Sequence, residues 1–152
     1  MSRIAAVRQY IRDAMVTAGV DDRYGYYSHV ESVAALCAML ASKRGENPEL
    51  ATMVGLLHDI HTIIHLDSAN HAEKGAVLVH EILENLNITN ADETDIICTA
   101  IRNHSAKAAT HSPFTEILID ADVLHHHLFD VTQPIAEHEK PRLDSLYREL
   151  FI

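Results

Sequence analysis

The sequence predicts an all-α protein, an orthogonal bundle of about six to seven helices, and three observations carry that prediction. Apolar residues recur three and four apart through most of the 152 residues. Gly, Pro and Asn breaks divide this pattern into segments of helical length. No segment alternates apolar and polar residues as a half-buried strand would.

Residues 2–18 read as a first helix, with Ile4, Val7, Ile11, Met15 and Ala18 inward and Gly19 as its stop. A polar link over residues 21–25 leads to a long second helix, residues 26–44, with Val30, Val33, Ala34, Cys37, Leu40 and Ala41 as its stripe. His29 stands at the edge of that stripe. Gly45 and Asn47-Pro48 end this helix and start the next, whose Leu50, Met53, Val54 and Leu57 lead directly into His58 and Asp59. An irregular stretch is expected over residues 60–69, containing His61 and His65. A further helix over residues 70–86 carries His71, Glu73, Lys74 and Gly75 near its start, and one over residues 91–104 ends on His104. Residues 105–112 read as a loop. Pro113 opens a helix to about Phe129, on which Leu118, Ala121, Asp122 and His125 share a face. Residues 130–138 connect it to a short terminal helix with Leu143, Leu146 and Leu150.

At this length the chain is expected to be a single domain, residues 1–152, able to bury a core of its own. Apolar residues make up 47% and charged ones 22%, a globular balance. The net charge of −10 argues against a nucleic-acid polymer or an anionic membrane as partner. Cys37 and Cys98 lie far apart on apolar stripes with no secretory leader read before them, so buried free thiols and a cytoplasmic location are expected. Oligomeric state is not legible. Twelve histidines are the one anomaly of composition.

A carboxylate at the end of an apolar helix needs compensation, and a divalent cation shared with a neighbouring imidazole supplies it. The plainer alternative is a helix end at which His58 caps carbonyls and Asp59 meets water. His29 and Asp122 have plain alternatives too, a core-edge histidine and a half-exposed aspartate. All four lie beside apolar stripes that converge in a bundle. Imidazole nitrogens mixed with carboxylate oxygens suit Mn, Fe, Co or Ni better than a closed zinc site, which favours thiolates.

The segments Tyr27-Ser28-His29-Val30, Val54-Gly55-Leu56-Leu57-His58-Asp59-Ile60 and Leu118-Ile119-Asp120-Ala121-Asp122-Val123-Leu124 resemble, in order and spacing, those of the HD-domain superfamily of metal-dependent phosphohydrolases. The resemblance covers about residues 24–130, with the first and last helices as additions. It implies that His29, His58, Asp59 and Asp122 bind one divalent ion, with His58 and Asp59 at the catalytic centre. Asp120 competes with Asp122 as the last ligand; Asp122 is preferred because Val123-Leu124 follows it as the family pattern asks. His71 and His104 look like the further histidines of two-metal subfamilies, with Asp59 as bridge, so one ion or two remains open. The reaction implied is attack of a metal-activated water on a small phosphorylated substrate. Lys74, Arg102 and Lys107 are candidate phosphate contacts, each with the alternative of an ordinary solvated cation.

Ser105-Ala106-Lys107 stands where the cyclic-dinucleotide branch carries Gly-Tyr-Pro, which disfavours that branch, and no Gly-rich phosphate loop is present. Small stand-alone members include nucleotidases and dinucleoside-polyphosphate hydrolases. A non-catalytic ligand-binding module is the alternative, disfavoured because all four ligand positions are filled. Of the His125-His126-His127 tract only His125 is expected on the Asp122 face, since consecutive helical residues point about 100° apart. His61 and His65 are candidates for the site mouth; His80, His111 and His138 are expected in solvent.

Overall fold

The computed structural model describes residues 1–22 and 25–151 and is entirely helical among them. Eight helices follow in order: α1 (Arg3–Thr17), α2 (Tyr26–Arg44), α3 (Pro48–Leu57), α4 (Ile60–His65), α5 (His71–Leu86), α6 (Ala91–Asn103), α7 (Pro113–Phe129) and α8 (Lys140–Phe151). The expected all-α class holds. Part of the polar link expected over residues 21–25 lies outside the described residues.

α3 is the centre of the bundle. Every residue from Leu50 to Leu57 except Thr52 is buried, as an apolar-all-round helix requires. Asn47 starts it by accepting the Glu49 and Leu50 amides on its side chain, and Pro48 occupies the first turn, where it forfeits no hydrogen bond. α2 lies across α3 so closely that a Cβ on Gly55 would stand 2.5 Å from the Ala34 Cα. That approach, which only glycine permits, brings the first turn of α2 over the end of α3. α7 packs on both α2 and α3, and α5 and α6 pair on each other. α1 buries Val7, Ile11 and Met15, and its Arg3 is tied to Glu49 and Glu93.

α4 corrects the irregular stretch expected over residues 60–69. Ile60 and Ile63, three apart, both bury completely, but a helix of six residues is too short to show a repeat. Leu66 closes it in the left-handed region at φ 51°. This added helix accounts for eight elements where six to seven were expected. α8 docks Leu143 and Leu146 on α7 and adds a partly buried ion network around Asp120, in which Arg44 joins Asp120 and Glu149 while Arg142 joins Asp120 and Glu116. Cys37 and Cys98 are buried free thiols. Among the described residues no helix is long and apolar enough to cross a membrane.

Candidate metal centre

Five elements deliver side chains to one point. His29 comes from the first turn of α2, and His58 caps the end of α3. Asp59 occupies the non-helical joint between α3 and α4, His71 opens α5, His104 caps α6, and Asp122 stands in the middle of α7. Helix ends dominate because a side chain there can leave the helix face and aim at a neighbour.

The atoms form two adjoining clusters that share Asp59. Its Oδ2 lies 3.4 Å from both His29 Nε2 and His58 Nε2, which are 3.2 Å from each other. Asp122 Oδ1 closes that side at 3.9 Å from each of the two nitrogens. Asp59 Oδ1 turns the other way, 3.5 Å from His71 Nε2 and 3.6 Å from His104 Nε2, themselves 3.1 Å apart. Buried and without a hydrogen-bond partner, that oxygen is the atom a second cation would satisfy.

Backbone carbonyls orient three of the rings. His58 Nδ1 donates to Gly55, His71 Nδ1 to Ser68 and His104 Nδ1 to Ile101, at 2.8, 3.0 and 2.6 Å. A carbonyl can only accept, so each Nδ1 carries a proton and Nε2 is the nitrogen left to give a lone pair to a metal, the arrangement a metal-binding histidine needs. Lone pairs facing each other at such distances require positive charge between them. Burial disfavours a charge on His58, yet Asp59 and then Asp122 outweigh it and raise its pKa to about 9. Burial likewise works against the Asp59 carboxylate, which His58, His104 and His29 nevertheless hold far below the usual range. Asp122 is lowered against burial by His58, Lys107 and His126. His29, His58 and Asp59 form one group able to hold an ion, and Asp59, His71 and His104 another.

The structure separates the two aspartates that straddle Ala121. Asp122 faces His29 and His58, whereas Asp120 is locked between Arg44 and Arg142 at 2.7 Å each. It separates the three cations as well. Lys107 puts its ammonium 3.0 Å from Asp122 Oδ2, and Asp122 and Glu139 raise its pKa against the effect of burial. Lys74 pairs with Asp67, and Arg102 pairs with Glu73 while lining an outer groove with Ala76, Glu84 and Thr94.

The histidine tract corrects the sequence reading. His126, not His125, reaches Asp122, its Nε2 lying 3.3 Å from Oδ1. Residues four apart on a helix sit one above the other, and that was the overlooked signal. His125 packs edge-on against the His29 ring, 4.6 Å between centroids, and His127 hydrogen-bonds to the Tyr147 hydroxyl. His61 and His65 pack on each other at 4.7 Å and join neither cluster. His80 and His138 are exposed as expected, while His111 Nε2 donates to the Ala106 carbonyl and braces the loop before α7.

The family model of the HD domain matches residues 26–142. This chain belongs to the HD-domain family. A solved structure described as a "predicted HD superfamily hydrolase", from an uncultured Thermotogales bacterium, superposes on this HD domain with a TM-score of 0.62 over 93% of this chain and 87% of that one, at 23% identity. It establishes the fold. Among curated proteins the HD chain is similar to Ribonuclease Y of Enterococcus faecalis, 32% identical over 98 residues, and of Treponema denticola, 42% identical over 64 residues. These matches cover 64% and 41% of this chain but only 17% and 13% of those proteins, so the chain spans about a sixth of its curated relatives or less.

Proposed function

We propose that this HD protein is a metal-dependent phosphohydrolase acting on a small nucleotide-like phosphoester. One observation carries the reading: two His/Asp clusters share the Asp59 carboxylate, one oxygen to each, and one of those oxygens is buried with no other partner. His29, His58, Asp59 and Asp122 would hold the first ion; Asp59, His71 and His104 would hold the second. The donor set fits Mn, Fe, Co or Ni, with nitrogen and carboxylate oxygen mixed and no thiolate among the donors. Bound there, the ions would lower the pKa of a water and neutralise charge on the phosphoryl oxygens.

The chain's own residues supply the rest. The carbonyls behind His58, His71 and His104 keep three lone pairs aimed inward, so no reorientation is needed at the moment of reaction. Lys107 carries a positive charge beside Asp122 and is the cation placed to meet a phosphate. Lys74 and Arg102 pair with the exposed carboxylates Asp67 and Glu73, whereas Lys107 pairs with a residue of the cluster itself, Asp122.

A second reading, hydrolysis of RNA, is favoured by the similarity to Ribonuclease Y. Against it stands the net charge of −10, which gives a polyanion no sequence-independent grip. The deciding experiment measures phosphate or nucleoside release from mono-, di- and polyphosphates, cyclic nucleotides and a short RNA, with Mn2+, Co2+ or Ni2+ and after chelation. Turnover of small nucleotides with RNA left intact supports the proposal. Cleavage of RNA alone would replace it with the second reading, and saturable binding without turnover would make the protein a ligand-binding module.

A further inference from the structure

His126 makes a contact that the family motif does not include. It stands one helical turn beyond Asp122 on α7, and its Nε2 approaches Asp122 Oδ1, the oxygen facing His29 and His58. Its ring lies nearly parallel to that of His29, 12° between planes at 5.8 Å. The ligand-capable atoms of His29, Asp122 and His126 all fall within 4.8 Å of one another, the same closeness that unites His29, His58 and Asp59. The two groups have His29 in common. A pair of ligands four apart on one helix is the spacing by which helices chelate metals, since both side chains project from one face.

We propose that His126 is a fifth protein ligand of the first ion, closing it from the solvent side. This rests on the metal-centre reading above. The other two members of the tract are accounted for elsewhere, His125 against the His29 ring and His127 on Tyr147. Lys107 holds the far oxygen of Asp122, so the near oxygen is left to His29, His58 and His126. With His126 the first cluster offers three imidazole nitrogens and two carboxylate oxygens, whereas the second offers two nitrogens and one oxygen. Five protein donors would hold the ion and would leave it able to take a substrate or water oxygen. Nitrogen in both sets favours Fe, Co or Ni over Mg or Ca, and five donors against three would make the first cluster the tighter of the two.

The test is a ligand count. In a His71→Ala background, which weakens the second cluster, 15N-histidine-labelled protein is loaded with one equivalent of Mn2+, and directly coupled imidazole nitrogens are counted by pulsed EPR. Three are expected, falling to two in the His126→Ala and His126→Gln variants, with Ni2+ affinity by calorimetry weakened about tenfold or more. His126 is half exposed, so without metal both variants should melt at the parental temperature. An unchanged nitrogen count or an unchanged Ni2+ affinity overturns the proposal while leaving the metal centre standing. Failure of either ion to bind any of the proteins overturns both.

Discussion

Lys107 holds Asp122 from behind: its ammonium lies 3.0 Å from Asp122 Oδ2 while Asp122 Oδ1 faces His29 and His58. The loop after α6 thus brings a cation to the carboxylate of α7. Glu139 fixes the same ammonium at 2.7 Å, and Arg142 donates to the Lys107 carbonyl at 3.1 Å.

A half-buried cation so placed should matter to a phosphate. Lys107→Ala should lower kcat/KM for phosphoester hydrolysis by roughly a hundredfold, the scale of removing one preorganised charge. Lys74→Ala and Arg102→Ala should each change it by less than about twofold, because both pairs are exposed and cost little to lose. Equal losses from all three would refute this placement.

Asp59 and Asp120 should respond in opposite ways. Asp59→Ala should abolish metal binding, measured by elemental analysis, since both clusters lose their shared anion. Asp120→Ala removes charged hydrogen bonds from Arg44 and Arg142, which keep Glu149 and Glu116, and should cost roughly 2 kcal/mol in denaturant melts, with metal stoichiometry unchanged. Loss of metal from the Asp120 variant, with the fold intact, would return it to contention as ligand.

His71→Ala and His104→Ala should reduce stoichiometry from two ions to one without unfolding the protein, because each removes a nitrogen on the Asp59 Oδ1 side and leaves the Oδ2 side intact. Calorimetric titration with Ni2+ reads this directly. A single ion in the parent protein would remove the second site.

Gly55→Ala should destabilise the protein by roughly 3 kcal/mol or more, above the common range for overpacking. The new methyl meets Ala34 backbone, which cannot yield as a side-chain tip would. The same shift would part α2 from α3, and hence His29 from His58, so metal affinity should fall with stability. A stable variant with parental affinity would show that the crossing does not set the site.

Acid should unfold the chain through its Arg-paired carboxylates. Arg44 holds Glu149 below its ordinary value of 4.5, and Arg8 and Arg3 do the same for Glu31 and Glu93. Folded values lower than unfolded ones mean this stabilisation is full above about pH 4.5 and lost as pH falls through the folded values. Melting temperature should therefore drop below about pH 4.5, and the drop should be shallower in Glu149→Gln. An identical profile in the variant would assign acid sensitivity to other groups.

Helix by helix, the sequence by itself determined most of this architecture, because a 3.6-residue repeat and its Gly, Pro and Asn punctuation act within one segment. His29, His58, Asp59 and Asp122 were legible as residues beside apolar stripes, and the family resemblance assembled them. α4 was not legible, its six residues being fewer than two turns of that repeat. Only the tertiary structure decided which way a side chain faces across a helix boundary. Asp120 and Asp122 point to different partners because the roll of α7 against α2 turns one toward Arg44 and the other toward His29. Lys107 enters the site while Lys74 and Arg102 stay outside, for the carboxylates that capture each of them come from separate elements. Local periodicity sets what one helix presents; the crossing of two helices, down to the missing Cβ of Gly55, sets what meets.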